Sequence, residues 1–163
     1  MALLRPDRYL TSFMKLDFEW LLAHGYDAVF LDVDNTLLPR TQDTVPAEIE
    51  KKVEEGKALG IRFCLVSNSW HQRSFDVAGM LDLPLVGRAL KPLPFGFWRA
   101  QRKVGAKRRE VVVVGDQLYT DVLGAHLACM RAVLVQPLVE QDLRHTVFLR
   151  RFAVRHLRGM EPE

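Results

Sequence analysis

The sequence contains little cysteine and no long apolar run, and these shortages exclude several classes of protein. Only two cysteines occur among the 163 residues, so a fold held together by disulfides is excluded and a reducing compartment, the cytoplasm, is expected. No apolar stretch approaches the length of a membrane span, and charged residues interrupt the apolar N-terminal segment, which lacks the pattern of a signal peptide. The five histidines show no metal-ligand spacing.

An excess of charge of one sign is also lacking, because the formal net charge is only +3. The basic residues are nevertheless clustered, first at 103–109 and again at 144–158, where five arginines occur without an acidic residue. Such clusters attract phosphate groups on nucleic acid or on lipid. We expect no nucleic acid partner and regard an anionic phospholipid surface as the alternative that the second cluster favours.

Apolar runs of strand length alternate with helical patterns through most of the chain. Strands are predicted at 27–33, 61–68, 85–86, 110–116 and 131–137, and helices at 46–60, 71–81, 93–105, 119–129 and, as a basic C-terminal helix, 140–158. This alternation predicts a mostly parallel sheet covered by helices on both faces, an α/β fold. With 48% hydrophobic residues we expect one core and a single domain over 1–163, with a helical lead-in at 1–26.

A residue that could handle a phosphate or a metal follows each of the first four predicted strands. These residues are, in chain order, Asp32 and Asp34, Ser67 and Asn68, Lys91, and Asp116 and Asp121. Ligands of parallel α/β sheets bind beyond the carboxyl ends of the strands, so the chain order predicts one site at that edge of the sheet.

Phosphoryl transfer is the chemistry that suits this set of residues. Carboxylates gathered at one edge repel each other unless a cation lies among them, and oxygen ligands without histidine or cysteine favour Mg²⁺. The hydroxyl of Ser67, the ammonium of Lys91 and the backbone amides of the next helix would cradle a phosphate. One acid of the Asp32–Asp34 pair can then attack phosphorus while the other manages protons, which explains two acids where metal binding needs one.

The order of these residues resembles the four motifs of the haloacid dehalogenase (HAD) superfamily of phosphatases. The matching stretches are DVDNT at 32–36, Ser67 after an apolar strand, Lys91 before Pro92, and GDQLYTD at 115–121. The longer stretches LLRPDRYLTSF, DVDNTLLP, SNS and GDQLYTDVLGA look like the YqeG-like branch of subclass IIIA, which is similar to the mitochondrial phosphatidylglycerophosphate phosphatases. The resemblance covers nearly the whole chain and implies a HAD-like Rossmannoid three-layer α/β/α sandwich without a cap domain.

The resemblance also implies a role for each motif residue. Asp32 would be the nucleophile, Asp34 the general acid and base, and Lys91 the cation that neutralises the phosphoryl and aspartyl oxygens. The implied phosphate-binding residues are Thr36, which would also shape the motif-one loop, Ser67, Asn68 and Lys91. The implied Mg²⁺ ligands are Asp32, the backbone carbonyl of Asp34, and Asp116. Asp121 would lie behind these ligands or orient Lys91.

The gaps between the motifs leave no room for a cap domain and therefore predict an open site. Thirty residues separate Thr36 from Ser67, and twenty-two separate Asn68 from Lys91. An open site suits a phosphate presented on something large. With the resemblance, it favours phosphatidylglycerophosphate, reached peripherally at the inner face of the membrane. Alternatives are a small soluble phosphometabolite and a homo-oligomer in which a second subunit covers the site.

Two other classes of function, and alternative roles for several single residues, also follow from the sequence. A non-catalytic phosphate-binding scaffold would be favoured by loss of a motif residue, and none is lost. A receiver domain is excluded because an aspartate pair, not a lone aspartate, follows the first strand. Ser67 alternatively caps the next helix, and Asp121 alternatively caps the helix near it. His71 is expected on the surface, Trp70 in packing, and the helix at 140–158 alternatively docks on the sheet with its arginines solvated.

Overall fold

Six parallel strands form the central sheet in the part of the chain that the structure describes. The computed structural model describes residues 2–139, 157 and 159–163. The strands are β1 (Arg8–Leu10), β2 (Ala28–Leu31), β3 (Arg62–Val66), β4 (Leu85–Val86), β5 (Val111–Gly115) and β6 (Arg131–Val135). Their order is β1-β6-β5-β2-β3-β4, and every pair of neighbours is parallel. The predicted α/β class is confirmed.

Helices cover both faces of this sheet. They are α1 (Phe18–Ala23), α2 (Ala47–Ala58), α3 (Gln72–Leu81), α4 (Phe95–Val104) and α5 (Leu123–Leu127). Val29 and Leu31 of β2 belong to the core beneath α1, α2 and α3, whereas Ala28 and Phe30 belong to the core beneath α4 and α5. All four residues of β2 are buried, which is why this strand is apolar throughout instead of alternating.

The direction of the chain changes between β2 and β5, the two central strands. From β2 the chain runs outward to β3 and β4, and from β5 it runs to β6 on the other side. In a parallel sheet this change of direction opens a crevice at the carboxyl ends of the two strands. Asp32 and Asp116, which directly follow β2 and β5, therefore lie at the mouth of that crevice.

Several elements differ from their predicted extent. The strands and helices are mostly shorter at their ends, and the helix predicted at 119–129 is a π-helical turn, Leu118–Val122, followed by α5. The helical lead-in predicted at 1–26 contains α1 but also β1, so that prediction is partly wrong. A strand of three residues is too short to show periodicity, and it forms because β6 offers backbone partners. Apart from Leu157, the helix predicted at 140–158 lies outside the described residues.

Asp7 holds the N-terminal segment against β6. Its carboxylate accepts a bond from the backbone amide of Ala132 at 2.8 Å and one from Arg131 at 2.6 Å, and His126 Nε2 lies 3.1 Å away. Burial alone would raise the pKa of Asp7, but these hydrogen bonds lower it to about 2.

Within the described part of the chain, no helix combines the length and the apolar character that crossing a bilayer requires.

Candidate active site

An open cavity of about 550 Å³ lies at the carboxyl edge of the sheet, beside the crevice between β2 and β5. The predicted site residues that line it are Asp32, Asp34, Ser67, Asn68 and Lys91. The other residues that line it are Arg40, Ser69, Trp70, His71, Arg73, Ser74, Gln117 and Thr120. The structure thus brings to one cavity residues that follow four separate strands.

The turn after β2 places both aspartates of the first motif at this cavity. The backbone amide of Asp32 donates to Val114 of β5 at 2.9 Å, which extends the sheet pairing by one residue. Asn35 then adopts a left-handed conformation with a φ of 59°, which asparagine tolerates better than most residues, and its amide donates to the carbonyl of Leu38 at 2.9 Å. Because the chain reverses there, Asp34 remains beside the cavity.

Lys91 lies between two carboxylates. Its Nζ is 2.6 Å from Oδ1 of Asp32 and 2.6 Å from Oδ1 of Asp121, and its side chain is only 3% exposed. Burial alone would lower the pKa of Lys91, but the charges of Asp121 and Asp32 raise it above its ordinary value. Lys91 is therefore a permanent cation beside the predicted nucleophile, as its predicted role requires.

Asn68 contacts the main chain of Lys91. Its Oδ1 accepts a bond from the Lys91 backbone amide at 2.7 Å, and its Nδ2 donates to the Lys91 carbonyl at 3.1 Å. Both polar atoms of the side-chain amide thus contact the Lys91 backbone, and Nδ2 keeps a second N–H for the predicted contact to a phosphate. These bonds make Asn68 a residue that positions Lys91 as well.

Three carboxylates lie close enough together to hold a cation. Asp32, Asp116 and Asp121 each offer an oxygen, and these oxygens lie within 4.8 Å of one another. Burial raises the pKa of Asp32 to about 6, against the charge of Lys91 and with the help of Asp121. Burial, followed by the charges of Asp32 and Asp121, raises the pKa of Asp116 to about 8. Three acids with one lysine leave excess negative charge, and an all-oxygen set fits a hard divalent cation.

The end of β5 is shaped to admit Asp121. A Cβ atom on Gly115 would lie 2.3 Å from Cγ and from Oδ2 of Asp121, so no larger residue fits there. Oδ2 of Asp121 accepts a bond from the amide of Gln117 at 3.2 Å, while its Oδ1 faces Lys91. Asp121 lies in the π-helical turn and does not cap α5; it contacts Lys91, in line with its predicted orienting role.

Two predicted hydroxyl residues are buried at the same edge. Thr36 Oγ1 lies 3.5 Å from Asp32 Oδ2 and 3.5 Å from Asp116 Oδ1, so it stands between these two carboxylates. Ser67 lines the cavity, and its Oγ accepts a bond from the amide of Ser69 at 3.1 Å. Ser67 does not cap α3, because that helix begins at Gln72 and has His71 as its N-cap residue.

Two arginines that the sequence analysis did not single out contact Asp34. Arg73 Nη1 donates to Asp34 Oδ1, and Arg40 Nε lies 3.7 Å from Asp34 Oδ2. Arg73 also donates to the carbonyls of Pro39 at 2.8 Å and Gln42 at 2.9 Å. It therefore ties the segment after the first motif to α3 and holds the carboxylate of Asp34 in place.

One signal for Arg73 was present in the sequence. The residue lies in the first turn of a predicted helix, where the helix dipole disfavours a cation. An arginine there indicates a compensating acid, and Asp34 is that acid.

Trp70 also differs from its prediction, because it is 59% exposed instead of packed, whereas His71 is exposed as expected.

Comparison with known proteins points to one family. A family model described as HAD-hydrolase-like matches residues 89–148. The chain is 31% identical over 156 residues to the probable phosphatase YqeG of Bacillus subtilis (strain 168), a match that covers 96% of this chain and 91% of the relative.

Two further similarities are weaker. The chain is 28% identical over 137 residues to the chloroplastic phosphatidylglycerophosphate phosphatase 1 of Chlamydomonas reinhardtii, which covers 76% of this chain and 49% of that protein. A HAD phosphatase structure from Thermococcus onnurineus superposes with a TM-score of 0.53 at 25% identity, covering 62% of this chain and 51% of the other.

Proposed function

Because the chain belongs to the HAD superfamily, in the family of the phosphatase YqeG, and is a phosphoric monoester hydrolase, we propose that it acts through an aspartyl-phosphate on Asp32 with the aid of Mg²⁺. The observation that carries this proposal is the position of Lys91, whose Nζ is 2.6 Å from Asp32 at an open cavity. The lysine keeps the carboxylate in its charged form and attracts the phosphate toward it.

The proposed reaction has two steps, each carried by residues of this chain. Asp32 Oδ attacks phosphorus, an O–P bond forms, and the bond to the leaving oxygen breaks as that oxygen takes a proton from Asp34. A water then attacks phosphorus, Asp34 takes its proton, and the Asp32–phosphorus bond breaks to release inorganic phosphate. Arg73 and Arg40 contact the deprotonated Asp34 carboxylate and hold it at the cavity between its loss of one proton and its uptake of the next.

The cation would lie among the acidic residues of the site. Asp32, Asp116 and the backbone carbonyl of Asp34 would hold Mg²⁺, which when bound would neutralise charge on the phosphoryl group. The raised pKa values of Asp32 and Asp116 support this, because they reflect burial of the charged forms and, after it, repulsion between carboxylates, and a divalent cation would offset both.

We expect the metal-free protein to lose stability as the pH rises from about 4 to about 8. The folded Asp32 and Asp116 have pKa values of about 6 and about 8, above the ordinary 3.8, so the folded state binds more protons than the unfolded state in this range. Mg²⁺ is expected to remove this loss, and to raise Tm more at pH 8 than at pH 5, since it binds deprotonated carboxylates. Thermal unfolding with and without Mg²⁺ across this range measures the effect.

Asp116→Asn provides the matched test of the ligand. It preserves the size of the side chain, and we expect it to remove most of the Mg²⁺-dependent rise in Tm and to lower phosphatase activity about a hundredfold or more. Asp82→Asn, an exposed site on the C-cap of α3, should leave both unchanged. A Mg²⁺ response in Asp116→Asn equal to that of the wild type would contradict the assignment.

We further propose that the substrate is phosphatidylglycerophosphate or another phosphomonoester presented on a large body. The segments 37–66 and 69–90, where a cap domain would be inserted, are described completely. Their main elements are α2 and α3, so neither segment forms a cap over the cavity. The similarity to the algal phosphatidylglycerophosphate phosphatase supports a lipid substrate, although it spans about half of that protein. The partner of the site would then be an anionic phospholipid surface.

Phosphate release from a panel of substrates decides between the lipid and the soluble alternatives. We expect kcat/KM for phosphatidylglycerophosphate in vesicles to exceed that for phosphosugars and nucleotides by about a hundredfold or more, because an uncapped cavity makes few contacts to a small substrate. Preference for a soluble compound would overturn the lipid proposal, and absence of release from every compound would favour a non-catalytic scaffold.

A further inference from the structure

Four large apolar side chains are exposed in the segments that follow β3 and β4, and one of them, Trp70, lines the cavity. Trp70 is 59% exposed, Leu90 61%, Leu93 49% and Phe95 54%. We call these four residues the rim patch. They follow β3 and β4, so they lie at the carboxyl edge of the sheet, as the catalytic aspartates do. Single exposed apolar residues are ordinary, whereas a group of four at the mouth of a site indicates an interaction surface.

Contacts of Arg88 and of the backbone join the segments that carry the rim patch. The guanidinium of Arg88 lies 4.1 Å from the centre of the Trp70 ring, and its amide donates to the carbonyl of Ser69 at 3.3 Å. The amide of Leu93 donates to the carbonyl of Leu90 at 2.9 Å. The loop after β3 is thus joined to the loop after β4, which leads directly into α4.

Packing does not explain why Leu90 and Trp70 are apolar. Leu90 has a φ of 58°, a left-handed conformation that costs a leucine free energy, and its side chain nevertheless points into solvent. Trp70 lines the cavity, and the guanidinium of Arg88 stacks on its ring. This contact holds the Trp70 side chain in an exposed position. Residues kept exposed in this way suit a partner that buries them.

The segment that carries Leu90, Leu93 and Phe95 has charge of one sign. Between Asp82 and Glu110 the sequence contains eight basic residues and no acidic residue. One of the eight, Lys91, is buried in the site, and the other seven are exposed. Among these, Arg88 stacks on Trp70, and Arg99 donates to the Arg88 carbonyl at 2.8 Å, so both stand beside the apolar residues.

We propose that the rim patch inserts into the surface of an anionic lipid bilayer. Tryptophan, leucine and phenylalanine would enter the boundary between head groups and acyl chains, while the arginines contact lipid phosphates. A second copy of this chain fits less well, because a symmetric interface would bring the two basic surfaces together. This inference rests on the proposed function only in that a docked protein presents its open cavity to lipid head groups.

Vesicle binding of the full chain tests this proposal. Wild type is expected to co-sediment with vesicles of phosphatidylcholine and phosphatidylglycerol much more than with phosphatidylcholine alone. The double variant Leu93→Ser/Phe95→Ser, which lies outside the cavity lining, should bind these vesicles at least about tenfold less. Leu59→Ser removes a similarly exposed leucine at the end of α2, before β3 and hence at the opposite edge of the sheet, and should bind like wild type.

A charge substitution separates electrostatic attraction from apolar insertion. Arg99→Gln neutralises an exposed residue beside the rim patch without changing its apolar side chains, and should weaken binding only to vesicles with phosphatidylglycerol. Salt should weaken wild-type binding in the same way. Equal binding of all variants to vesicles, or no wild-type binding at all, would overturn the proposal. It would also be overturned if the wild type did not bind vesicles but formed a dimer, or bound an acidic protein, and the Leu93/Phe95 variant abolished that association.

Hydrolysis of soluble para-nitrophenyl phosphate distinguishes failure of this inference from failure of the proposed function. The Leu93/Phe95 variant should retain Mg²⁺-dependent hydrolysis of this compound while it loses activity on vesicle-bound substrate. Hydrolysis without vesicle binding would reject the docking surface and leave the phosphatase intact. Vesicle binding without hydrolysis of any substrate would support the surface and reject the catalytic proposal.

Discussion

Phosphate release is expected to fall by about ten-thousandfold or more when Asp32 is replaced with asparagine. The amide lacks the nucleophilic oxygen that would form the aspartyl-phosphate, and it cannot pair with Lys91 as a carboxylate does. The change is nearly isosteric and removes one charge from a crowded group of acids. The metal-free fold should therefore be at least as stable as that of the wild type.

Two measurements make the Asp32 result interpretable. Steady-state phosphate release at saturating Mg²⁺ reports the activity, and thermal unfolding without metal reports the fold. Asp82→Asn provides the matched control, because it makes the same chemical change at an exposed residue far from the cavity. Full activity of Asp32→Asn would reject Asp32 as the nucleophile and move the search to another carboxylate of the site.

The second large effect is expected at Lys91. Lys91→Met removes the cation that lies 2.6 Å from both Asp32 and Asp121, and leaves two buried carboxylates without their partner. We expect kcat to fall about a thousandfold, and the free energy of unfolding to fall by about 3–5 kcal/mol, the range seen when one member of a buried ion pair is removed. Denaturant titration and phosphate release measure the two effects.

A double variant separates the catalytic role of Lys91 from its structural one. Lys91→Met/Asp121→Asn removes one positive and one negative charge, so the net charge of the buried group is unchanged. Stability should largely return, whereas activity should not, because no cation then faces the phosphoryl group. If activity returned together with stability, Lys91 would be a structural residue only. The double variant also keeps the test informative if Lys91→Met alone does not fold.

The existence of the site was predictable because the chemistry follows the strands in order. In a parallel sheet all strands end at the same edge, so Asp32, Ser67, Lys91 and Asp116 had to approach one another once their strands were identified. β5, with four consecutive valines, and β2, with its apolar run, carried that signal strongly. The position of the site could therefore be predicted from the strand ends without a structure.

Contacts between side chains of different loops were not predictable in this way. Asn68 follows its motif serine directly, yet its amide is bonded to the Lys91 backbone twenty-three positions away. Arg73 reaches Asp34 across the space between α3 and the segment after β2. Neither spacing nor periodicity encodes which side chain fills such a space, because rotamers are chosen by packing after the elements have assembled.

The amino-acid sequence by itself determined the α/β class, the order of the four strand ends and the collection of acids, hydroxyl and lysine beyond them. Periodicity is a local property, so it can be recognised from the sequence alone. Only the assembled fold showed that β1 joins the sheet through β6, that Asn68 and Arg73 hold Lys91 and Asp34, and that Trp70 is exposed. These outcomes depend on which surfaces meet across the fold, and their free energies arise from contacts between residues that are remote in sequence.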